Sequence, residues 1–301
     1  MPGLCEGRVV IVTGAGRGLG RAHALAFARE GAKVVVNDLG VSLDGRDPSG
    51  GPAAAVVDEI RAAGGEAIAS TADIADWEQS AGLVRAALTA FGRLDVVVNN
   101  AGFVRDRMFA NATEDEWDAV MRVHLKGHFC LSRHAAAHWR DEAKAGRPVD
   151  ARIVNTSSGA GLQGSVGQSA YSAAKGGIAA LTLVQAAELA RYGVTANAIA
   201  PSARTRMTET VFADMMKKPE QGFDVMDPAN VSPLVVWLGS AASREVTGRV
   251  FEVAGGSISL ADGWRTGPRA EREARWEPAE VGDAVRELIA KAAPPQKVYG
   301  T

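Results

Sequence analysis

Short runs of β-branched residues recur at 8–13, 33–37, 66–70, 95–98, 152–157, 194–200 and 249–254, and each gap between them can hold a helix. This alternation constrains the fold more than any other feature. Parallel strands need a long crossover, helices fill the crossovers, and the result is an α/β fold with a doubly wound parallel sheet. Runs such as ArgValValIleValThr at 8–13 hold consecutive apolar residues, as expected of strands buried on both faces. Helical patterns are read at 21–30 (ended by Gly31), 53–63, up to Phe91, 113–140, 169–191 and 229–240. Thr113 with Glu116 three residues on is a capping-box signature for the long 113–140 helix. One domain is expected over 1–261. Residues 262–301, rich in charge, Trp and Pro, read as an extension with a helix at 278–292 that covers a neighbour or subunit.

On such a sheet, ligands collect at the carboxyl ends of the strands. Gly14, Gly16, Gly18 and Gly20 follow the first strand and lead into a helix, with Arg17 and Leu19 between them. A glycine cluster is often only a tight turn. Between a strand and a helix, however, it exposes backbone N–H groups and a helix N-terminus to a pyrophosphate. Asp38 ends the second strand, where a carboxylate can accept hydrogen bonds from a ribose and repel a 2′-phosphate. This favours NAD over NADP; Arg17, a cation in the same turn, is the counter-signal. Asp73 follows the third strand, Asn99-Asn100-Ala101-Gly102 the fourth, and Ser158 the fifth.

Tyr171 and Lys175 are four apart and share one helical face. Tyr and Lys at this spacing are usually surface residues. An ammonium near a phenol, though, stabilises the phenolate and lowers its pKa from about 10, which makes the tyrosine a usable general acid/base. Ser158 would hydrogen-bond the same oxygen. The shared location of these segments at strand ends favours chemistry.

Four histidines, His124, His128, His134 and His138, fall in the 113–140 helix. At 1.5 Å per residue the outer two lie about 21 Å apart, so the four cannot share an ion, and no metal is expected. Residues 39–52 read as a Gly/Pro/Asp-rich loop, and 202–226, with four methionines, as a lid over an apolar substrate or an ordinary surface helix. A net charge of −2 gives no basic field for nucleic acid or an anionic membrane. No run approaches the ~18 apolar residues that cross a bilayer. Two cysteines, Cys5 and Cys130, form no framework. With no signal-peptide pattern at the start and no peroxisomal address in ValTyrGlyThr at the end, a cytoplasmic protein is expected.

Thr13-Gly14-x-x-x-Gly18-x-Gly20, Asn99-Asn100-Ala101-Gly102, and Ser158 thirteen residues before Tyr171-x-x-x-Lys175 together resemble the classical short-chain dehydrogenases/reductases over residues 6–255. That resemblance implies a Rossmann-type fold. Within it, 35–40, 104–108, 123–127 and 206–210 are similar to the (3R)-hydroxyacyl-CoA dehydrogenase unit of peroxisomal multifunctional enzymes, and the chain also resembles actinobacterial steroid-catabolic dehydrogenases. It implies that Tyr171 exchanges the substrate proton, Ser158 orients the oxygen, and Lys175 tunes the tyrosine and binds the nicotinamide ribose. Cofactor contacts then fall on Gly14, Arg17, Gly18, Leu19, Gly20, Asp38, Asp73, Ile74, Asn100, Ala101, Gly102, Tyr171, Lys175 and Pro201. His124 stands where most members have Asn, as in the multifunctional-enzyme group, and either relays protons or packs. Ser202 replaces the usual glycine after Pro201.

The expected activity is NAD-dependent interconversion of a secondary alcohol and ketone on a 3-hydroxyacyl-CoA, with a steroid side-chain acyl group included. Free 17β-hydroxysteroid oxidation and NADP-linked 3-ketoacyl reduction are same-chemistry alternatives. A catalytically silent nucleotide-binding or sensor protein, or a structural partner acting through its tail, are alternatives of another class. The implied assembly is a homodimer or homotetramer built partly on helices 113–140 and 169–191. Cations near the mouth, Arg105, Arg107, Arg204 and Arg206, are candidates for CoA phosphates or plain surface charges.

Overall fold

In a computed structural model of the chain, residues 3–40, 51–205 and 216–301 are described. The 206–210 motif, Arg206 and much of the 202–226 segment lie outside them, as does most of the 39–52 loop. The strands are β1 (Val9–Thr13), β2 (Lys33–Asn37), β3 (Ala67–Ser70), β4 (Val96–Asn99), β5 (Ala151–Thr156), β6 (Val194–Ser202), β7 (Val250–Ala254) and β8 (Ser257–Leu260). The helices are α1 (Gly18–Arg29), α2 (Gly51–Ala62), α3 (Trp77–Phe91), α4 (Glu114–Met121), α5 (Gly127–Lys144), α6 (Gly159–Gln163), α7 (Ser169–Leu189), α8 (Ser232–Gly239) and α9 (Pro278–Lys291).

The strands form one sheet in the order β3-β2-β1-β4-β5-β6-β7-β8, parallel except for β8. Alternate residues of β1 explain why Val9–Val12 are consecutively apolar. Val10 and Val12 pack with Phe27 of α1, Ile60 of α2 and Leu238 of α8 on one face. Val9 and Ile11 pack with Leu83 of α3, Leu131 and Trp139 of α5 and Ala186 of α7 on the other. The chain therefore has the α/β, Rossmann-type doubly wound parallel sheet that the alternation implies. The order reverses between β1 and β4, so a crevice opens at their carboxyl ends.

Three elements differ from the sequence reading. β8 is an additional strand, joined to β7 by Gly255-Gly256 with Gly255 at φ +53°, as a two-residue hairpin requires. The 113–140 helix starts with the expected capping box at Thr113 and Glu116, but it is interrupted by a π-helical run, Arg122–Lys126, before α5 continues to Lys144. A short α6 intervenes between Ser158 and Tyr171, and Ser158 caps it by accepting the Ala160 N–H.

Under the crevice lies a buried polar network. Asn99 of β4 and Asn155 of β5 stand side by side in register and are joined by an amide hydrogen bond of 2.9 Å. Asn99 also donates to Ser132 of α5, and Asn155 donates to Thr182 and Gln185 of α7. Each donor so placed avoids the cost of an unpaired buried amide and fixes α5 and α7 against the sheet.

Candidate active site

The glycine-rich turn leaves β1 at Thr13 and enters α1 at Gly18. Thr13 Oγ1 accepts the N–H groups of Asn100 (3.0 Å) and Ala101 (3.1 Å), while Asn100 Nδ2 donates to the carbonyls of Thr13 (3.0 Å) and Gly14 (3.3 Å). The Asn99–Gly102 turn thus clamps the glycine turn, and the Asn100 side chain is spent on that clamp. Space is tight: a Cβ on Gly20 would lie 2.1 Å from the Gly14 carbonyl oxygen, and one on Gly14 would lie 2.7 Å from the Ala101 Cα. Gly14 and Gly18 also have positive φ.

Arg17 is the extended N-cap of α1 and its side chain makes no cap. The first-turn amides of α1 have no intrahelical acceptors and remain available for an anion. Asp38 accepts the N–H of Gly16 and of Gly40, each at 2.7 Å, which places its carboxylate beside the turn at the end of β2. Arg17 lines a cleft with Gly16, Arg21, Pro52 and Glu59, and Arg21 is paired with Glu59. Asp73 accepts the Ala75 N–H and pairs with Arg122 at 2.6 Å. Ile74 is buried, and Leu19, in the first turn of α1, packs on the core. Pro201 lies near the end of β6. Uncapped helix amides, a turn too close for side chains and a carboxylate at the β2 end fit a dinucleotide: the pyrophosphate on the turn and the adenosine ribose at Asp38.

Ser158, just past the end of β5, and Tyr171, in the first turn of α7, come close enough for the serine hydroxyl to favour the charged form of the phenol. Burial pushes the Tyr171 phenol above its ordinary value, the Ser158 hydroxyl pulls it back, and the Asp106 charge raises it. Lys175 sits one turn further on, 2% exposed, with Nζ 5.6 Å from the Tyr171 ring centroid. It donates to the Thr156 carbonyl at 2.6 Å, and burial lowers its pKa to about 7. The sequence reading expected the ammonium to lower the phenol. Here Nζ is held on a backbone carbonyl, and burial raises the phenol.

His124 lies in the π-helical run and is 1% exposed. Its Nε2 lies 2.6 Å from the Phe103 carbonyl oxygen and 3.0 Å from the Phe103 backbone nitrogen, one contact suited to each tautomer; Nδ1 is buried with no partner among the described residues. Burial, and then the Lys175 charge, push its pKa down to about 3. The imidazole stands edge-on to the Tyr171 ring, with centroids 5.3 Å apart at 88°. Gly102 makes room for it, since a Cβ there would lie 2.2 Å from the ring.

Several neighbours escaped the sequence reading. His128 is fully buried one turn beyond His124, with Nε2 3.4 Å from the N–H of Thr156, whose carbonyl holds Lys175. Its signal was the i,i+4 histidine pair, weighed only as a metal pattern. Asp106 accepts from Gln168 at 3.0 Å and faces Tyr171 electrostatically. His134 lies edge-on to Trp77, away from the site. Of the mouth cations, Arg107 pairs with Glu116 (2.7 Å), Arg204 with Asp224 (2.7 Å), and Arg105 lies over the Phe103 ring (5.0 Å). Tyr299, at the far end of the chain, reaches the segment between Ser158 and Tyr171.

Residues 8–216 match the short chain dehydrogenase family. The chain belongs to that family. It is an oxidoreductase acting on hydroxyl groups and is related to 3-hydroxyacyl-CoA dehydrogenases. Hydroxyacyl-CoA dehydrogenase ChsB1 of Mycobacterium tuberculosis is 47% identical over 307 residues, covering 98% of this chain and 93% of that protein. Peroxisomal multifunctional enzyme type 2 of Mus musculus is 46% identical over 253 residues; the match covers 84% of this chain and 32% of that longer protein. The crystal structure of a short chain dehydrogenase from Mycobacterium avium superposes with a TM-score of 0.90 at 64% identity, covering 99% of this chain and all of the other. Among the described residues, no helix is long and apolar enough to cross a membrane.

Proposed function

We propose that this dehydrogenase uses NAD to oxidise the secondary alcohol of 3-hydroxyacyl-CoA thioesters, those with steroid-derived acyl groups included. The convergence of Ser158, Tyr171 and Lys175 beside the glycine turn and Asp38 carries the reading. Bound NAD would supply the hydride acceptor, held by the turn at Gly14–Gly20, by Asp38 and by Lys175. Ser158 and Tyr171 hydrogen-bond the carbinol oxygen and fix its carbon. Tyr171 takes the hydroxyl proton as general base and returns it in the reverse direction. Lys175, with Nζ on the Thr156 carbonyl, stands 5.6 Å from the centre of the phenol ring. His124, neutral and edge-on, holds the Tyr171 ring in place.

The name of the M. tuberculosis relative favours the acyl-CoA substrate over a free steroid. Residues 1–261 are read as the catalytic unit and 262–301 as an extension that is exposed along most of its length. The test is NADH formation with 3-hydroxyacyl-CoA thioesters, a steroid side-chain thioester and free 17β-hydroxysteroids, each with NAD and NADP. Preference for thioesters with NAD is expected. Tyr171→Phe should lower kcat by about 10²–10⁴-fold with NAD affinity retained. Preference for the free steroid contradicts the substrate reading, and a Tyr171→Phe enzyme of normal kcat contradicts the site.

A further inference from the structure

The extension runs exposed from Asp262 onward, yet its last residues return to the rim of the candidate site. Tyr299 forms a parallel bridge with Ser165: the Val166 N–H donates to the Tyr299 carbonyl at 2.9 Å, and the Tyr299 N–H donates to the Gly164 carbonyl at 3.2 Å. On its other edge, the same segment pairs with residues 106–107. The Arg107 N–H donates to the Gly167 carbonyl at 2.7 Å, and Gln168 Nε2 donates to Asp106. Residues 164–168 link the helix capped by Ser158 to the helix carrying Tyr171, and they are gripped from both sides. The Tyr299 ring covers Gly159, the residue after Ser158: a Cβ there would lie 2.7 Å from the Tyr299 hydroxyl.

The outward surface of these three strips carries a group of apolar side chains, with Asp106, Arg107 and Thr301 exposed beside it. Met108 is 59% exposed, Phe109 80%, Val166 45%, Val298 39% and Tyr299 46%. The strips touch: Val298 lies against Gly164, Gly300 against Val166 and Met108 against Gly167. An exposed apolar patch of this kind marks a binding surface, and this one adjoins the reacting hydroxyls. Arg107, the cation on these strips, is held by Glu116. The patch therefore suits a hydrocarbon better than phosphates.

We propose that the C-terminal strip Val298–Thr301, with Tyr299 at its centre, is a wall of the substrate site that binds the hydrocarbon of the acyl group and sets selectivity for long or fused-ring acyl chains. This rests on the reading of Ser158 and Tyr171 as the reacting centre. The test compares the full chain with a chain ending at Lys297 and with Tyr299→Ala. KM for long-chain or steroid thioesters should rise about tenfold, in keeping with loss of buried aromatic and aliphatic surface. KM for a four-carbon thioester and for NAD should change less than twofold.

Calorimetric binding of hexadecanoyl-CoA and butanoyl-CoA, which lack the 3-hydroxyl, should show the same contrast without turnover. Exchange of the Val166 amide hydrogen should speed up at least tenfold in the shortened chain. Equal effects on long and short acyl groups, or none, overturn the proposal, as does unchanged Val166 exchange. If no thioester is oxidised but the hexadecanoyl contrast holds, the proposed reaction fails and the wall stands.

Discussion

Two buried histidines make acid stability a sharp test of the packing. His23 of α1 is fully buried with Nδ1 2.9 Å from the Ser232 hydroxyl and Nε2 unpartnered; burial lowers its pKa to about 3. His124 is lowered to about 3 by burial and the Lys175 charge. Unfolded, each titrates near 6.5. Between these values the unfolded chain binds more protons, so stability falls as pH falls, beginning below 6.5 and ending near 3. From pH 7.5 to 5.0 each histidine should cost about 2 kcal/mol, against a typical total of about 5–15. His128, lowered by burial, acts in the same direction, as does the burial-lowered Lys175. Urea denaturation at both pH values, at one protein concentration, measures the sum. His23→Gln isolates one group: its pH-dependent loss should be about 2 kcal/mol smaller than the parent's. An unchanged loss in the variant would refute the claim that His23 is buried and neutral.

The other expectations concern the cofactor and the assembly. Asp38→Ala removes the acceptor of the Gly16 and Gly40 amides and the charge facing a 2′-phosphate. The ratio of kcat/KM for NAD over NADP should fall about 10–100-fold in initial-rate assays, the worth of charge-assisted hydrogen bonds; an unchanged ratio removes Asp38 from the ribose site. Phe129 on α5 and Leu183 and Val184 on α7, each about half exposed, lie on the two helices expected to build a homodimer or homotetramer. Sedimentation at micromolar concentration should show two or four chains, and a single-chain species contradicts it.

Most of the architecture was legible because each strand announces itself chemically. Val9–Thr13 and Val96–Asn99 are continuous apolar runs, and burial on both faces demands that. The cap of α4 at Thr113 was legible because a capping box is a local device with a fixed spacing. β8 was missed although its signal was present: two glycines separate it from β7, but only Ile258 and Leu260 alternate with serines, and all four residues are exposed. The π-helical run had no such signal. Its residues have ordinary helical character, and only tertiary packing requires His124 inside that run, against Gly102 and Tyr171.

The site shows the same division between what is local and what is assembled. Ser158, Tyr171 and Lys175 were found by spacing, because one helical turn and one strand end suffice to bring them near each other. Their energetics depend on everything around them. Thr156 takes the lysine's hydrogen bond, Asp106 comes from a distant loop, and burial opposes charge on both Tyr171 and Lys175. A lysine four residues from a tyrosine does not by itself make an acid/base pair. The pair works only where the surroundings leave the phenol a partner that favours its charged form, and among these neighbours Ser158 is the one that pulls the phenol down. Residues 164–168 lie between the two hydroxyls in the chain, joining α6 to α7. Asp106 and Arg107 hold one edge and Tyr299 the other. The last residues of the chain therefore meet the segment between a pair that lies more than a hundred positions earlier, through two backbone hydrogen bonds that no sequence pattern announces.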